Sequence, residues 1–319
     1  MEISIKRTTE LTDSEIDEVN SLFKAVFAQD RSRQDFLDRF LNNPRGFSYH
    51  SLLRIEGNLI GCESYVPFRY LDHDKPFWTA FGCDIMVRED HRNLANIFKL
   101  SETAKRFLVG EGIHLRLGFP NEKMYPVAKK AFRHKDVGAL RTHLLVLRVG
   151  GIREKFRWFD PVSLLLSRFH LLGSYFSALR RSQPVAFRFR RERSTFDENR
   201  ERWFGEEYVR VALSGASFLY RIKQQDGARV GFLLDVDPLT PHHFDQAVRH
   251  LVKAEGARLD LILFVGTLSF TPFSMMKVPV RWEPKKFRVT CLPLDPNRFD
   301  DEICKIENWE MSLFNYDLV

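Results

Sequence analysis

Two periods of apolar residues run along the chain, and the switches between them divide it into elements. Thr12-Asp-Ser-Glu15 precedes Ile16, Val19, Leu22, Phe23, Val26 and Phe27 at helical spacing. A hydroxyl followed three residues later by a carboxylate is a capping box, so a helix is predicted to start there. A second helix is predicted over 32–41, stopped by Asn43-Pro44-Arg45-Gly46. Within 51–66 two β-rich runs flank Gly57-Asn58, the pattern of a hairpin, and 78–87 supplies a third strand. Ile97, Leu100, Ala104, Phe107 and Leu108 then mark one helix face, which Gly110 and Gly112 end. A strand over 113–118, a short helix through Ala131-Phe132 and a strand over 140–147 complete this half.

The second half repeats part of the plan. Glu111-Gly-Ile-His-Leu-Arg-Leu117 and Glu255-Gly-Ala-Arg-Leu-Asp-Leu261 share E-G-x-x-L-x-L, each after a helical stretch. Leu53-Arg-Ile55 and Tyr220-Arg-Ile222 each open a hairpin, the second turning at Asp226-Gly227. Matches in the same order indicate two copies of one α/β unit. Between them, 161–180 is apolar around more than half its circumference. It is expected to pack as a helix between the lobes, the other reading being a membrane interface with the following arginines at lipid headgroups.

Composition narrows the class. At 319 residues, 44% hydrophobic and 29% charged, the chain has room for two ordinary cores, and its 29 phenylalanines should dominate their packing. No apolar run approaches a membrane span in this reading, and MEISIKRTTE has no signal-peptide pattern, so a cytoplasmic location is expected, or one peripheral to a membrane. Cys62, Cys83, Cys291 and Cys304 have no metal or disulfide spacing and read as buried thiols. Of the net charge of +7, the stretch 151–204 carries nearly all, with twelve Lys/Arg against six Asp/Glu. It invites an anionic partner, a membrane or a nucleic acid.

The turn between the strand ending at Val87 and the next helix is the first candidate for chemistry. A strand running into a helix start presents unpaired N–H groups and a positive dipole end, which suit a phosphate. Glycines, common where a backbone approaches a pyrophosphate, are replaced by Ala95 and Asn96. His242-His243 with Asp235 and Asp237 lacks ligand spacing, and no metal site is expected.

The strand ending at Val87, the Asp90-His-Arg-Asn turn and Gly118-Phe-Pro-Asn121 together resemble the GNAT superfamily of acyl-CoA-dependent N-acyltransferases. The closing Asn308-Trp-Glu-Met-Ser-Leu-Phe-Asn-Tyr-Asp317 resembles the tail of bacterial two-lobed members, some linked to surface-sugar pathways. The resemblance implies an α/β (α+β) fold of two tandem GNAT-like lobes, each a mixed, mostly antiparallel sheet flanked by helices. It would divide the chain into an acyl-CoA-binding lobe (1–150), a basic amphipathic connector (151–204) and a degenerate lobe shaping the acceptor cleft (205–319).

It further implies transfer from acetyl-CoA or another acyl-CoA to a primary amine of a small or sugar-linked acceptor. The family's turn, Q/R-x-x-G-x-G/A, aligns with Arg92-Asn-Leu-Ala-Asn-Ile97, so Arg92, Asn93, Leu94, Ala95, Asn96 and Ile97 are the expected diphosphate contacts. Backbone N–H groups near Ile85, Met86 and Val87 are the expected oxyanion donors, where the family's fourth and fifth strands splay. Asp84 and Glu63 are the candidate proton acceptors. The family's tyrosine position holds Ala128, leaving Tyr125 as candidate proton donor, and Asn121 as a contact to the pantetheine arm. Two further readings are an aminoacyl-tRNA-dependent transferase of the peptidoglycan-bridge type, without the long charged helical hairpin such enzymes often carry, and a degenerate binding or scaffold protein.

Overall fold

The computed structural model of the chain describes residues 1–189, 208–283 and 285–315. In chain order its elements are β1 (Glu2–Arg7), α1 (Asp13–Phe27), α2 (Arg33–Leu41), β2 (Tyr49–Ile55), β3 (Asn58–Asp72), β4 (Lys75–Val87), α3 (Leu94–Gly110), β5 (Leu115–Gly118), α4 (Met124–Lys130), β6 (Lys135–Val146), α5 (Val149–Ile152), α6 (Asp160–Gly173), β7 (Phe187–Phe189), β8 (Val209–Leu213), β9 (Ala216–Gln225), β10 (Ala228–Asp237), α7 (Pro241–Glu255), β11 (Leu261–Gly266), β12 (Met276–Lys277), β13 (Phe287–Pro293) and β14 (Trp309–Glu310). Two compact units divide them. The first gathers Met1–Gly138, 186–189 and Arg288–Ile306, the second Ala139–Val185, 208–287 and 307–315. The stretches 1–150 and 205–319 therefore each give residues to both units. Part of the basic connector, 190–204, and the last residues of the tail lie outside the described residues.

In the first unit the capping box forms as the sequence predicts. Thr12 Oγ1 accepts the Glu15 N–H at 3.3 Å and Glu15 Oε2 accepts the Thr12 N–H at 3.0 Å, which starts α1. Strands β1 to β4 are antiparallel neighbours, β4 pairs parallel to β5, and β13 returns antiparallel to β5. Helices cover both faces because successive strand residues point to opposite sides. On β2, the His50 ring packs against Phe36 and edge-on to Phe40 of α2, whereas Ser51 Oγ donates to the Leu100 carbonyl of α3 at 3.3 Å. The turn of the β2–β3 hairpin is Glu56-Gly57, both at positive φ, and Asn58 already belongs to β3.

Two histidines of this core are kept neutral by burial. His50 sits between the Thr8 and Ser64 hydroxyls at 2.9 and 3.0 Å, and burial pushes it down to about 3. Burial and the nearby Arg116 push His134 down to about 3 as well. The unfolded chain protonates both below about 6.5 and the folded chain does not until near 3, so unfolding takes up protons across that window. Stability is then fully present above about pH 6.5 and falls by about 1.4 kcal/mol per pH unit per histidine as the pH drops. Melting of His50→Gln between pH 7 and pH 4 should show a shallower decline than the parent; equal slopes would refute the assignment.

The second unit carries the predicted repeat. Strands β8, β9 and β10 are antiparallel, α7 crosses over, and β11 returns parallel to β10, as α3 returns β5 to β4. Leu261 of the E-G-x-x-L-x-L motif opens β11 as Leu115 and Leu117 form β5. Phe244, Val248 and Leu251 of α7 pack on Leu145, Phe218, Leu233 and Ile262 to form the core.

Two expectations are overturned. The apolar middle segment does not pack away: only 17% of its most apolar window is buried, and Glu154–Leu179 is long and apolar enough, by length and composition, to cross a membrane. Three cysteines are buried, but Cys304 is only partly so. Among the described residues no group of three or more His, Cys, Asp or Glu is arranged to hold a metal.

Candidate active site

β4 runs beside β5 only at Thr79, Ala80 and Phe81, and beyond them it continues to Val87 without that neighbour. At the same point its register with β3 slips: Ser64 faces Cys83 and Cys62 faces Met86, so Asp84 and Ile85 together oppose Glu63. Asp84, at φ +50°, is the residue that makes this β-bulge. Arg88 N–H donates to the Ile60 carbonyl at 2.8 Å, so alternation turns the Val87 peptide groups away from β3, into the opening. There the Val87 carbonyl accepts from Arg92 Nε and Nη2 at 3.3 and 3.4 Å.

The turn that follows is built by side chains rather than glycines. Asn93 caps α3, its Oδ1 accepting the Asn96 N–H at 2.9 Å, and Asn96 Nδ2 reaches back to the His91 carbonyl at 2.8 Å. Arg88 and Asp90 form a two-pronged ion pair at 2.7 and 2.8 Å. His91 and Arg92 N–H groups are taken by the Arg88 and Glu89 carbonyls. The amides of Asn93, Leu94 and Ala95 make no hydrogen bond within the described residues. No residue from Glu89 to Phe98 has a positive φ, so this turn does not call on the freedom glycine supplies. Three consecutive open donors therefore stand at the head of a 17-residue helix, an arrangement of the kind that cradles an anion.

No protein-family model matches the sequence, and no curated protein does. Solved structures match it in three dimensions. A protein of Enterococcus faecalis described as a probable N-acyltransferase aligns over 92% of this chain and 73% of its own, with TM-score 0.61 at 12% identity. A GCN5-related N-acetyltransferase of Anabaena variabilis aligns over 92% and 73% with TM-score 0.58 at 9% identity. One from Kribbella flavida aligns over 92% and 72% with TM-score 0.54 at 14% identity. The chain has the GNAT fold. Identities this low speak to the fold alone, and the chemistry has to come from the residues themselves.

Within the GNAT fold the two acids point to opposite faces of the sheet. Asp84 faces α2: Arg31 Nη1 reaches its Oδ2 at 2.6 Å and Arg39 Nη2 its Oδ1 at 3.3 Å, with the carboxylate side chain 8% exposed. Glu63 faces α3, where Arg116 Nη2 meets its Oε1 at 3.1 Å and Arg116 Nη1 donates to Ser101 Oγ at 2.9 Å. Burial pushes the Glu63 carboxyl up, and Arg116 pulls against that rise. Glu63 Oε2 and Arg116 Nε are buried without a partner of good geometry, and the nearby Tyr65 hydroxyl adds to Arg116 in favouring the charged carboxylate. The three arginines were not among the residues the sequence singled out, because their partners are 53, 53 and 45 positions away.

Tyr125 and Asn121 turn elsewhere. The Tyr125 hydroxyl donates to Asp136 Oδ2 at 2.6 Å while the Arg288 guanidinium lies 4.1 Å from its ring centre. Asn121 Oδ1 accepts the N–H groups of Lys123 and Met124 at 3.1 and 2.9 Å, which leads the chain into α4. Both side chains thus have local structural partners.

The second unit has the corresponding bulge, Leu234 being the extra residue on β10, but not the cradle. Pro241 occupies the first turn of α7 and has no N–H, Thr240 N–H goes to the Pro238 carbonyl at 3.0 Å, and Thr240 Oγ1 takes the His243 N–H at 3.2 Å.

Proposed function

We propose that the protein is an acyl-CoA-dependent N-acyltransferase, transferring an acetyl or longer acyl group to a primary amine of a small or sugar-linked acceptor. The observation that carries the proposal is the run of three open amides, Asn93, Leu94 and Ala95, where β4 parts from β5. Arg92, exposed beside them, adds positive charge on the same side. Among the described residues only the first unit has this arrangement, so it is assigned the acyl-CoA.

The amine nitrogen attacks the thioester carbonyl carbon, the C–S bond breaks as the tetrahedral intermediate collapses, and the thiolate leaves with the electron pair. The Val87 N–H is the proposed donor to the developing oxyanion. Asp84 is assigned to holding the bulge rather than to proton transfer, since two guanidiniums already occupy it. Glu63, buried beside Arg116 and Tyr65, is assigned the ammonium proton, relayed by a water at its Oε2. The Tyr125 hydroxyl is committed to Asp136, so solvent is the assigned proton source for the thiolate.

The test is thermal melting with CoA and acetyl-CoA, combined with thiol release on adding primary amines. A ligand that binds only the folded chain stabilises by about 2.7 kcal/mol at a hundred times its Kd. No shift at millimolar CoA and no amine-dependent thiol release would leave the scaffold reading. Glu63→Gln, which keeps the hydrogen bond to Arg116, should lower kcat by about a hundredfold and remove the acid limb of the pH profile, leaving KM for acetyl-CoA in place. A parent-like pH profile would instead assign the proton to another group.

A further inference from the structure

The segment from Glu154 to Leu179 is a helix turned inside out. Ser163, Ser167, His170, Ser174 and Ser177 recur at intervals of four, three, four and three, which is one stripe of a helix. That polar stripe faces the protein. Ser167, Ser174 and Ser177 are buried, Ser163 Oγ donates to the Leu147 carbonyl at 3.1 Å, and His170 Nδ1 meets the Phe273 carbonyl at 2.9 Å. Arg249 Nη1 donates to both Ser174 oxygens at 2.8 Å, and Arg180 Nη1 to the Thr271 carbonyl at 2.6 Å. The outer face is apolar: Leu165, Leu166, Phe169, Leu172 and Phe176 are exposed, reaching 82% at Leu179. A helix with its serines on the core and its leucines outside presents an apolar face of the kind that marks an interaction surface.

We propose that this face docks on an anionic lipid bilayer, lying in the interface plane. Charge selects that occupant. Arg153, Lys155 and Arg157 at one end, Arg168 in the middle and Arg181 at the other end are exposed, and none is in an ion pair with a described residue. Arg168 and Lys253 also line a groove of about 620 Å³ between α6 and α7, with Leu171, Leu172 and Tyr175, which suits a lipid headgroup above the start of its chains. Trp158, 71% exposed, and Tyr175 are the aromatic types that settle at the headgroup level. A twofold contact with a second copy would bring the basic collar against itself, which like charges oppose. Spanning the bilayer would break the polar bonds of the inner stripe, so the helix lies on the membrane and does not cross it. The inference does not depend on acyl transfer.

Flotation of the full chain with vesicles of phosphatidylcholine, alone or mixed with phosphatidylglycerol, tests it, with CoA-induced stabilisation measured separately to follow the catalytic reading. Binding to the mixed vesicles, weakened by salt, is expected. Phe169→Asp with Leu172→Asp should lower it at least about tenfold, and Arg153→Gln or Lys155→Gln, each removing one charge, by about fivefold. These side chains are exposed, so the melting temperature should hold and a folding defect would be visible. Absence of flotation at low salt overturns the proposal. So does binding to tRNA without binding to vesicles, or a dimer that the aspartate variants dissociate while flotation persists.

Discussion

Asp84→Ala is expected to destabilise the protein by about 3–5 kcal/mol. The carboxylate neutralises two guanidiniums, and Arg31 is itself deeply placed, with 6% of its side chain exposed, stacked 4.1 Å from Phe23 and 5.0 Å from Phe36. Removing the acid leaves that cation among aromatic rings with Asn20 Oδ1, at 2.7 Å, as its remaining hydrogen-bond acceptor. A second, smaller term comes from the backbone, because φ +50° costs alanine about 1 kcal/mol more than a residue that tolerates the left-handed region. Asp84→Asn separates the two: it keeps the bulge conformation and loses the charge. Urea denaturation should place Asn between parent and Ala, nearer to Ala. A loss below about 0.5 kcal/mol for Ala would mean that the bulge does not depend on the ion pairs.

Leu94→Pro is expected to weaken CoA binding by about tenfold or more while leaving the fold intact. Leu94 is the first residue of α3, where proline is well tolerated, and Asn93 before it has the extended backbone, φ −142° and ψ 160°, that a following proline requires. The leucine side chain is 61% exposed, so little packing is lost. The substitution therefore deletes one amide of three and little else, and a hydrogen bond to a charged acceptor contributes about 1.5–3 kcal/mol. Leu94→Ala retains the amide and should bind CoA like the parent. Calorimetric titration of the two variants that gives equal affinities would remove the Leu94 amide from the site.

Much of the fold is legible in the sequence because its determinants are local. The capping box of α1, the apolar face of α3 and the paired E-G-x-x-L-x-L motifs each lie within one element and its flanks. The helix start after β4 is legible for the same reason, and Asn93 is a strong N-cap type. The turn itself forms without glycine at 95 and 96, because the Asn96 side chain folds onto the His91 carbonyl and no residue there takes a positive φ. The site acids were harder to read. That Asp84 and Glu63 face opposite sides follows from one inserted residue in β4, and a bulge leaves no mark on the alternation of apolar residues around it. Tyr125 and Asn121 are placed by local partners, Asp136 and the start of α4, that the motif alone does not reveal. The middle helix misleads because abundance of leucine and phenylalanine suggests a buried element, whereas the serine stripe, equally present in the sequence, marks the side that faces the protein.

In the proposed reaction, backbone amides at the head of α3 hold the diphosphate of an acyl-CoA without glycine. A crystal structure of the protein with acetyl-CoA tests it most directly. Diphosphate oxygens about 3 Å from the amide nitrogens of Asn93, Leu94 and Ala95 are the predicted result. A diphosphate held elsewhere on the chain, with those three amides facing solvent, would contradict it.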